Sequence, residues 1–426
     1  DQYRARRWPQ GHCTARRTGA KSCKNHNNML LRCLLIMGLV ATSVSTLAGD
    51  AAATRWPIVL SHHWSESAAK AFAGTEWGPD GYTPMGVKQA LEAEGAVVYQ
   101  PDKVPFGANE VRGRLLYKKC AGRTLTDMLC EGENPQVIDG VLPAMEGYCS
   151  DPNQGLAQFP SAAQCLREVK INIICHSQGC PDSRYMIAAI QNELSGKPMH
   201  QHVASWTSVA GINKGTPLAD LWLGLVPRCS WPDYKPGLLE ASLAIDGFFE
   251  TGYWLEGGHE SVVALSRKYM TQTMDIWCNP RREECPPSFN QAYPNHPDIY
   301  YQSYSSYLSW IHSCYADKHL QGWFLAGLLE GRNDGWVSLD SQRFLTAGDQ
   351  PDAPPTYVVD RGIVRGTSNW FWLPHPGISH MGFTNDKVPG LGERDCLGFA
   401  YDPDVFHWDR EAFYLDVVKD LKAMGY

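Results

Sequence analysis

The sequence lacks the features that mark several large classes of protein. Its 426 residues contain no long low-complexity stretch, internal repeat or block of like charges, which argues for one compact domain with insertions over residues 49–426. A basic surface is also missing. Residues 49–426 contain 44 acidic and 30 basic side chains, because eight of the basic residues and only one acid precede them, and they carry a net charge of −14. Nucleic-acid binding needs a basic footprint, so we exclude it.

Cys-x-x-Cys pairs, which are common in structural zinc sites, are absent as well. Fourteen cysteines are nevertheless present, and eleven of them follow residue 48. In an exported protein, some of so many thiols are expected to be paired as disulfides. Cys278 and Cys285 bracket a short loop and are a plausible pair. Two further bridges could form, in any of three connectivities, among Cys120, Cys130, Cys149 and Cys165.

The apolar run near the start of the chain is too short to cross a membrane comfortably. It begins at Met29, has a basic flank before it, and is followed by small residues up to Ala48. This order is typical of a signal peptide, so we predict export with a signal peptide at residues 29–48; a membrane anchor is the alternative. Residues 1–28 show no periodicity, and we expect them to be an upstream, non-native leader.

The chain does contain a repeated alternation of short apolar strands and helices. Strands are predicted at residues 57–61, 96–99, 171–174, 203–209 and 357–359, and helices at residues 85–94, 110–117, 182–194 and 410–424. This order predicts an α/β fold with a mostly parallel sheet flanked by helices. Two segments stand apart from the pattern. One is a cysteine-rich insertion at about residues 120–165. The other, at about residues 220–278, contains an apolar piece that could be an ordinary helix or a mobile cap.

The strongest local signal surrounds Ser177. An apolar strand beginning at Ile171 runs directly into His-Ser-Gln-Gly, and a predicted helix follows. This is the setting of Gly-x-Ser-x-Gly, in which a strained strand-to-helix turn presents the serine hydroxyl and requires small neighbours two residues away on either side. Gly179 supplies one of these neighbours, whereas Cys175 replaces the other glycine. A serine on a purely structural turn is the alternative.

Several segments, in order, resemble the secreted bacterial triacylglycerol lipases of family I, the true lipases, over roughly residues 56–386. The resemblance is carried by Trp56–Trp64, Gly81–Val87, Gly95–Tyr99, Arg184–Tyr185, Thr207–Thr216, Phe289–Asn290, Tyr300–Tyr301, Asn333–Gly335 and Ser379–His380. It implies an α/β-hydrolase fold, a helical lid within residues 220–278, and hydrolysis of carboxylic esters.

Carried over by position, the resemblance makes Ser177 the nucleophile, Asp334 the acid and His380 the base. The backbone N–H groups of Trp64 and Gln178 would form the oxyanion hole. The chain order Ser, Asp, His agrees with the arrangement in α/β-hydrolases. The Asn-Asp-Gly sequence around the aspartate is also turn chemistry that would end a strand, where a carboxylate can reach a histidine.

Other residues compete for these roles. His375 is a rival base, and Asp340 and Asp349 are rival acids. The adjacent His62 and His63 invite interpretation as a metal site, but successive strand residues point to opposite faces of a sheet. We therefore do not expect both histidines to bind one ion.

The sequence departs from the family at several points. His63 replaces a glycine of the oxyanion loop, which would narrow the site. The spacing from Asp334 to His380 is longer than usual, and no cysteine follows Asn-Asp-Gly to make the family's disulfide.

The resemblance also implies a structural calcium, but Gly382 stands where an acidic ligand is expected. Asp317 and Asp386 remain as candidate ligands. Calcium prefers six to eight oxygen ligands, several of them anionic, so two carboxylates would make a weak site. Two ordinary surface acids are the alternative.

We therefore predict a secreted, monomeric serine carboxylic ester hydrolase that needs no cofactor for its chemistry. Its substrate would be a triacylglycerol or another ester at an interface, its partner a secretion foldase, and it would not insert stably into a membrane. An extracellular polyester depolymerase of the polyhydroxyalkanoate type would use the same triad, and aromatic residues around Trp222–Trp254 and Trp370–Trp372 suit either substrate. A non-catalytic binding protein on a hydrolase scaffold is the alternative outside enzymes.

Overall fold

The centre of the fold is built from short segments rich in Ile and Val, whose β-branched side chains favour extended backbone. A computed structural model of the protein describes residues 52–64, 67–72, 86–223, 257–279, 284–308, 327–344, 358–368, 377–384 and 406–426. The chain divides into two units, Asp1–Ala48 and Gly49–Tyr426, and all the described residues belong to the second. The predicted leader and signal peptide, and residues 224–256 of the predicted lid, lie outside the described residues.

Six parallel strands form the main sheet, in the order β2-β1-β5-β6-β7-β8. Two antiparallel pairs, β3–β4 and β9–β10, are separate from it. The strands are β1 (Ile58–Ser61), β2 (Val98–Tyr99), β3 (Lys119–Cys120), β4 (Val137–Asp139), β5 (Ile171–His176), β6 (Val203–Val209), β7 (Tyr300–Ser305), β8 (Val358–Ile363), β9 (Thr367–Ser368) and β10 (Phe406–His407).

Helices connect the strands, as parallel pairing requires. They are α1 (Ala68–Phe72), α2 (Val87–Ala93), α3 (Asn109–Tyr117), α4 (Leu125–Met128), α5 (Val141–Ser150), α6 (Gly155–Gln158), α7 (Ala162–Glu168), α8 (Gly179–Ala189), α9 (Pro217–Trp222), α10 (Gly258–Leu265), α11 (Arg267–Thr271), α12 (Phe289–Ala292), α13 (Leu339–Arg343) and α14 (Arg410–Ala423). Among the described residues, no helix has both the length and the apolar composition of a membrane span.

The sheet is buried on both faces, because alternate residues of a strand point to opposite sides. In β5, Ile171 and Ile173 belong to one buried apolar cluster, together with Trp206 and Tyr301. The intervening Ile174 belongs to a second cluster, which includes side chains of the C-terminal helix α14. A parallel sheet covered in this way is the α/β-hydrolase fold that the sequence predicts.

Most predicted elements are present with small shifts at their ends, and α14 begins at its predicted cap, where Asp409 accepts the N–H of Ala412. The helix predicted at residues 182–194 is wrong at both ends, since α8 starts at Gly179 and stops at Ala189. Beyond it the chain turns extended, and Gln191 pairs with Pro198. The predicted helix is therefore cut short by a local turn, in which the N–H of Met199 donates to the carbonyl of Ile190.

Four disulfides are present among the described residues. Cys278–Cys285 is one of them, as predicted, and the cysteine-rich insertion contains two more. The connectivity left open by the sequence is Cys120–Cys130 with Cys149–Cys165. The fourth bridge, Cys175–Cys180, was not predicted.

Candidate active site

Three side chains from distant parts of the sequence meet just beyond the end of β5. Ser177 follows this strand directly, Asp334 lies in a turn after a helical turn at residues 327–330, and His380 begins a 3-10 turn. His380 Nε2 lies 2.7 Å from Ser177 Oγ, and its Nδ1 lies 2.7 Å from Asp334 Oδ2. All three residues are buried. The structure thus joins the three predicted catalytic residues in one hydrogen-bonded chain.

Ser177 occupies a strained backbone position between β5 and α8. Its φ angle is +54°, a left-handed conformation that costs an L-residue about 1–2 kcal/mol. The turn is tight because α8 starts against the end of β1. A Cβ added to Gly179 would lie 2.2 Å from the carbonyl oxygen of Ser61. This contact is the physical reason for a glycine two residues after the serine.

The role of Cys175, two residues before the serine, differs from the one that the sequence motif predicts. Cys175 was treated as a small residue that merely replaces a glycine. It is instead bonded to Cys180, with the two Cα atoms 5.0 Å apart, and both residues are fully buried. The bridge spans the turn that carries Ser177. The sequence signal for it was the pair of cysteines five residues apart around the motif.

The carboxylate of Asp334 is held on both oxygens. Its Oδ1 accepts the backbone N–H groups of Trp336 (3.1 Å) and Val337 (2.8 Å), which leaves Oδ2 for His380. The backbone N–H of His380 also donates to the carbonyl of Asp334, at 3.0 Å. The prediction that this turn ends a strand is wrong, because a helical turn precedes it and Asn333 pairs with Ser338.

Of the rival residues, the structure describes only Asp340, which pairs with a lysine and not with His380. Asp340 is mostly exposed, and both its oxygens lie 3.1 Å from Lys214 Nζ. Asp349 and His375 lie outside the described residues. The contacts of the described part of the chain therefore favour Asp334 as the partner of His380.

The two predicted oxyanion positions lie at the same edge of the sheet as Ser177. Strands β1 and β5 are parallel neighbours, with Ser61 paired to Cys175, so the loops that follow them meet. Trp64 lies in the first loop, and Gln178 immediately precedes α8, whose first N–H groups have no partner within the helix. The Gln178 side chain is fixed by donating to the carbonyl of Gly107 (2.9 Å) and to Asn109 Oδ1 (3.0 Å).

The two adjacent histidines lie beyond the end of β1, so the strand argument used for them does not apply. His62 Nδ1–H donates to the carbonyl of His63, and its Nε2 accepts the backbone N–H of Lys103, each at 3.0 Å. The ring of His63 packs edge-on against His176, with centroids 5.1 Å apart. Burial holds the pKa of each of these three imidazoles well below its ordinary value, and neighbouring positive charges add to the effect.

His176, immediately before the serine, contacts the base directly. Its Nε2–H donates to the carbonyl of His380 at 2.8 Å, and the two rings lie 4.8 Å apart. The residue is fully buried. His176 therefore holds the backbone of His380, while Ser177 contacts its side chain.

Aromatic side chains border the proposed oxyanion loop and the Asp334 turn. Trp64 packs against Phe106 (5.0 Å between ring centroids) and against Trp336 (6.0 Å), and Trp222 contacts Trp336 in turn, at 6.0 Å. Of the two predicted aromatic regions, Trp222 is described, whereas residues 254 and 370–372 lie outside the described residues. The described part is an apolar wall beside the triad.

A buried ionic cluster beneath the oxyanion loop was missed from the sequence. Lys103, Arg112 and Asp182 are all essentially inaccessible, and both cations lie 2.9 Å from the same carboxylate oxygen. No spacing rule links these residues, which lie on a loop and two helices. Only the packing of those segments brings them together.

The two candidate calcium ligands, Asp317 and Asp386, lie outside the described residues, and Gly382 lies within the 3-10 turn that begins at His380. Within the part of the chain that the structure describes, no group of three or more His, Cys, Asp or Glu side chains is arranged to hold a metal ion. The described contacts therefore assign no ligand to a cation.

Comparisons of the sequence with known proteins find similarity to lipases. The model of the class 2 lipase family matches residues 162–238. A triacylglycerol lipase of Vibrio cholerae serotype O1 is 28% identical over 177 residues, which are 42% of this chain and 39% of the relative. This chain thus matches about two fifths of the length of that curated relative.

Solved structures of lipases and esterases align with most of the chain. A Staphylococcus hyicus lipase (16% identity, TM-score 0.46) aligns over 87% of this chain and 97% of its own. A metagenomic carboxyl esterase (14%, 0.46) aligns over 89% and 77%, and an esterase of Clostridium botulinum (14%, 0.43) over 89% and 90%.

Proposed function

We propose that the protein is a secreted serine carboxylic ester hydrolase, a triacylglycerol lipase or esterase of the kind represented by the family I true lipases. The observation that carries the proposal is the hydrogen-bonded chain from Ser177 through His380 to Asp334, with both distances at 2.7 Å. Nucleophile, base and orienting acid in this order are the minimum that acyl transfer requires.

In the proposed reaction, His380 Nε2 accepts the proton of Ser177 as the hydroxyl oxygen attacks the ester carbonyl. Asp334 stabilises the imidazolium that forms and keeps the ring oriented through Nδ1. The N–H groups of Trp64 and Gln178 donate to the oxyanion. His380 then protonates the leaving alcohol, and water repeats the sequence to release the acid.

The aromatic wall supports an apolar acyl group as the substrate. The ring faces of Trp64, Trp222 and Trp336 would supply a large apolar contact area for a hydrocarbon chain. An extracellular polyester depolymerase is the second candidate, because the same wall and the same triad would accept a hydrophobic polymer. Hydrolysis rates over esters of increasing chain length, measured beside a polyhydroxyalkanoate suspension, separate the two.

Export is part of the proposal, together with monomeric action at a lipid interface and a secretion foldase as partner. Four disulfides favour an oxidising compartment. No cofactor enters the proposed chemistry. Calcium bound by Asp317 and Asp386 would steady the histidine loop only weakly, so a chelator is expected to lower the melting temperature slightly.

The central experiment compares variants of the triad with folded controls. Ser177→Ala is expected to abolish hydrolysis of p-nitrophenyl esters, because the variant lacks the hydroxyl that is hydrogen-bonded to His380 Nε2. His380→Ala is expected to lose several orders of magnitude in kcat, whereas His375→Ala loses little. Purified Ser177→Ala protein with an unchanged circular dichroism spectrum and more than a few per cent of wild-type turnover would contradict the proposal.

A further inference from the structure

Lys103 is a fully buried lysine whose ammonium group meets three acceptors. Its Nζ donates to Ser61 Oγ (2.8 Å), to the carbonyl of His62 (2.9 Å) and to Asp182 Oδ2 (2.9 Å). An ammonium group has three N–H donors, so donors and acceptors match one to one. Two of these acceptors belong to the segment that leads from β1 to Trp64.

The third acceptor ties that segment to the helix that follows Ser177. Asp182 lies in the first turn of α8 and is fully buried. The Nε of Arg112, from α3, donates to the same Oδ2 at 2.9 Å, and its Nη2 donates to the carbonyls of His62 (3.2 Å) and His63 (2.8 Å). The loop is thus held through the carbonyl oxygens of His62 and His63. In a planar trans peptide the N–H points opposite to the C=O, so these contacts fix the directions of the N–H groups of His63 and Trp64.

We propose that Lys103 is a positioning residue whose ion pair with Asp182 fixes the loop carrying the Trp64 N–H against the helix carrying the Gln178 N–H. The inference rests on the proposed function, since it concerns the geometry of the proposed oxyanion hole. Both donors must lie within hydrogen-bond distance of one developing oxyanion. Displacing one of them by about 1 Å can cost about 100-fold in rate.

Stability gives a weak reason for this arrangement. Desolvating two charges costs several kcal/mol each, and replacing a buried ion pair with packed apolar side chains often leaves a protein as stable or more stable. What apolar residues cannot do is orient carbonyl groups. The directional contacts of Lys103 with His62 and Asp182 therefore account for a buried charge that stability alone does not explain.

The charge of Lys103 is also sensitive to alkaline pH. Burial lowers its pKa from 10.5 to about 8, although Asp182 acts in the opposite direction. Above that pH the neutral amine has only two N–H donors and no charge to pair with the carboxylate. The charged and titratable groups that face it are Asp102, Asp182, Arg112, His62 and His63. Burial keeps the pKa of both histidines low, so they stay neutral across this range.

The test measures kcat per titrated active site, so that a loss of folded protein can be distinguished from a loss of the correct position of the Trp64 and Gln178 N–H groups. Active sites are titrated with diethyl p-nitrophenyl phosphate, and turnover is followed with p-nitrophenyl butyrate. Lys103→Met is expected to lower kcat per titrated site about 10- to 100-fold with KM within about twofold. Lys103→Arg, which keeps the charge, recovers most of the loss. Lys118→Met is the matched control, because Lys118 pairs with Glu193 at the surface.

The pH profile supplies a readout that needs no foldable Lys103→Met variant. Wild-type kcat per titrated site is expected to fall above about pH 8, and Lys103→Arg to remove that fall. A wild-type profile that stays flat to about pH 10, or a Lys103→Met enzyme with normal kcat per site and only a lower melting temperature, overturns the inference. A wild-type protein that neither reacts with the phosphate nor hydrolyses any ester overturns the proposed function instead.

Discussion

Asp334 and Asp340 carry the same carboxyl group and lie six positions apart, yet their surroundings are opposite. Asp334 is fully buried, accepts two backbone N–H groups and contacts His380. Asp340 is mostly exposed and pairs with Lys214. Although the side chain of Lys214 is buried, solvent screens the exposed carboxylate that pairs with it, whereas a buried carboxylate on an imidazole fixes which ring nitrogen holds the proton.

We expect Asp334→Asn to lower kcat by about 10⁴-fold with little change in structure, because the amide favours the wrong imidazole tautomer. Asp340→Asn should stay within twofold of the wild type. Steady-state kinetics on both purified variants measure the difference. Equal losses in the two variants would contradict the assignment of the acid.

Gly179 is a second residue whose substitution is expected to disturb the active-site geometry, because its position has no room for a Cβ atom. A Cβ there would meet the carbonyl oxygen of Ser61 at 2.2 Å, and that oxygen belongs to the backbone of a central strand. Gly179→Ala is therefore expected to push the end of β1 away from α8 and to lower kcat about 100-fold. Gly147→Ala is the control, since a Cβ there meets nothing within 4 Å. Activity retained in both variants would show that the contact relaxes freely.

At the level of single residues, the strand-to-helix motif predicted Ser177 as the nucleophile, whereas Asp334 and His380 came from the family resemblance, with the Asn-Asp-Gly turn as further support for the aspartate. Lys103 and Asp182 could not be predicted. A buried lysine is recognisable only by what surrounds it, and its partners lie 42 and 79 positions away. Local patterns do not reveal contacts of that separation.

Among the structural elements, the turn between β5 and α8 combines a strained serine with a covalent bridge. Ser177 lies between Cys175 and Cys180, which restrict both the last strand residues and the first helical turn. A bridge that closes a loop of five residues contributes about 2 kcal/mol in the chain-entropy model. Its position on either side of the serine means that it also restrains the geometry of the turn.

The double variant Cys175→Ala/Cys180→Ala is expected to lose about 2 kcal/mol of unfolding free energy and also to lower kcat per titrated site. The control is Cys278→Ala/Cys285→Ala, which opens a loop of similar length in a segment bonded to Lys268. It should lose similar stability with unchanged kcat. Urea unfolding and active-site titration separate the two effects, and unchanged turnover in the first variant would limit the bridge to a stabilising role.

The elements were predictable to different degrees. Strand β5 stood out because it begins as an isoleucine-rich apolar run, and it is buried along its whole length. The end of α8 did not, because the chain leaves the helix at Ile190 for a local antiparallel pairing of Gln191 with Pro198, within the segment predicted as helix to residue 194 and just beyond it. The disulfide at the turn was overlooked because Cys175 was compared with the glycine it replaces.

At the scale of the whole molecule, Asp220 illustrates how pH acts on the fold. It lies in α9, after the central sheet strand β6, and its Oδ1 accepts the backbone N–H of Arg267 in α11 at 3.0 Å. Burial raises its pKa from 3.8 to about 7, although the hydrogen bonds from Arg267 and Lys268 oppose the shift. Between these values the folded protein binds more protons than the unfolded chain, so stability falls as pH rises from about 4 to 7.

Asp220→Asn should remove this dependence while keeping the acceptor for Arg267. The variant is expected to be more stable than the wild type at pH 8, by at most about 4 kcal/mol, and to lose that advantage near pH 4. Apparent melting temperatures at both pH values test this, with Asp340→Asn as the exposed control. A variant less stable at pH 8 would mean that the charge is needed in the fold.

The architecture as a whole was the most predictable level. Alternating apolar strands and helices imply a parallel sheet, because parallel strands need crossover connections. The sheet order, with β1 between β2 and β5, was beyond the sequence pattern, since strands β3 and β4 interrupt the alternation inside the cysteine-rich insertion.

His380 is held at four points by three neighbours. Ser177 and Asp334 bind its ring, Asp334 accepts its backbone N–H, and His176 donates to its carbonyl. A ring fixed in this way has little rotational freedom left to lose when an ester binds. In the proposed mechanism, most of the entropy needed to align the base is therefore given up when the chain folds rather than when the ester binds.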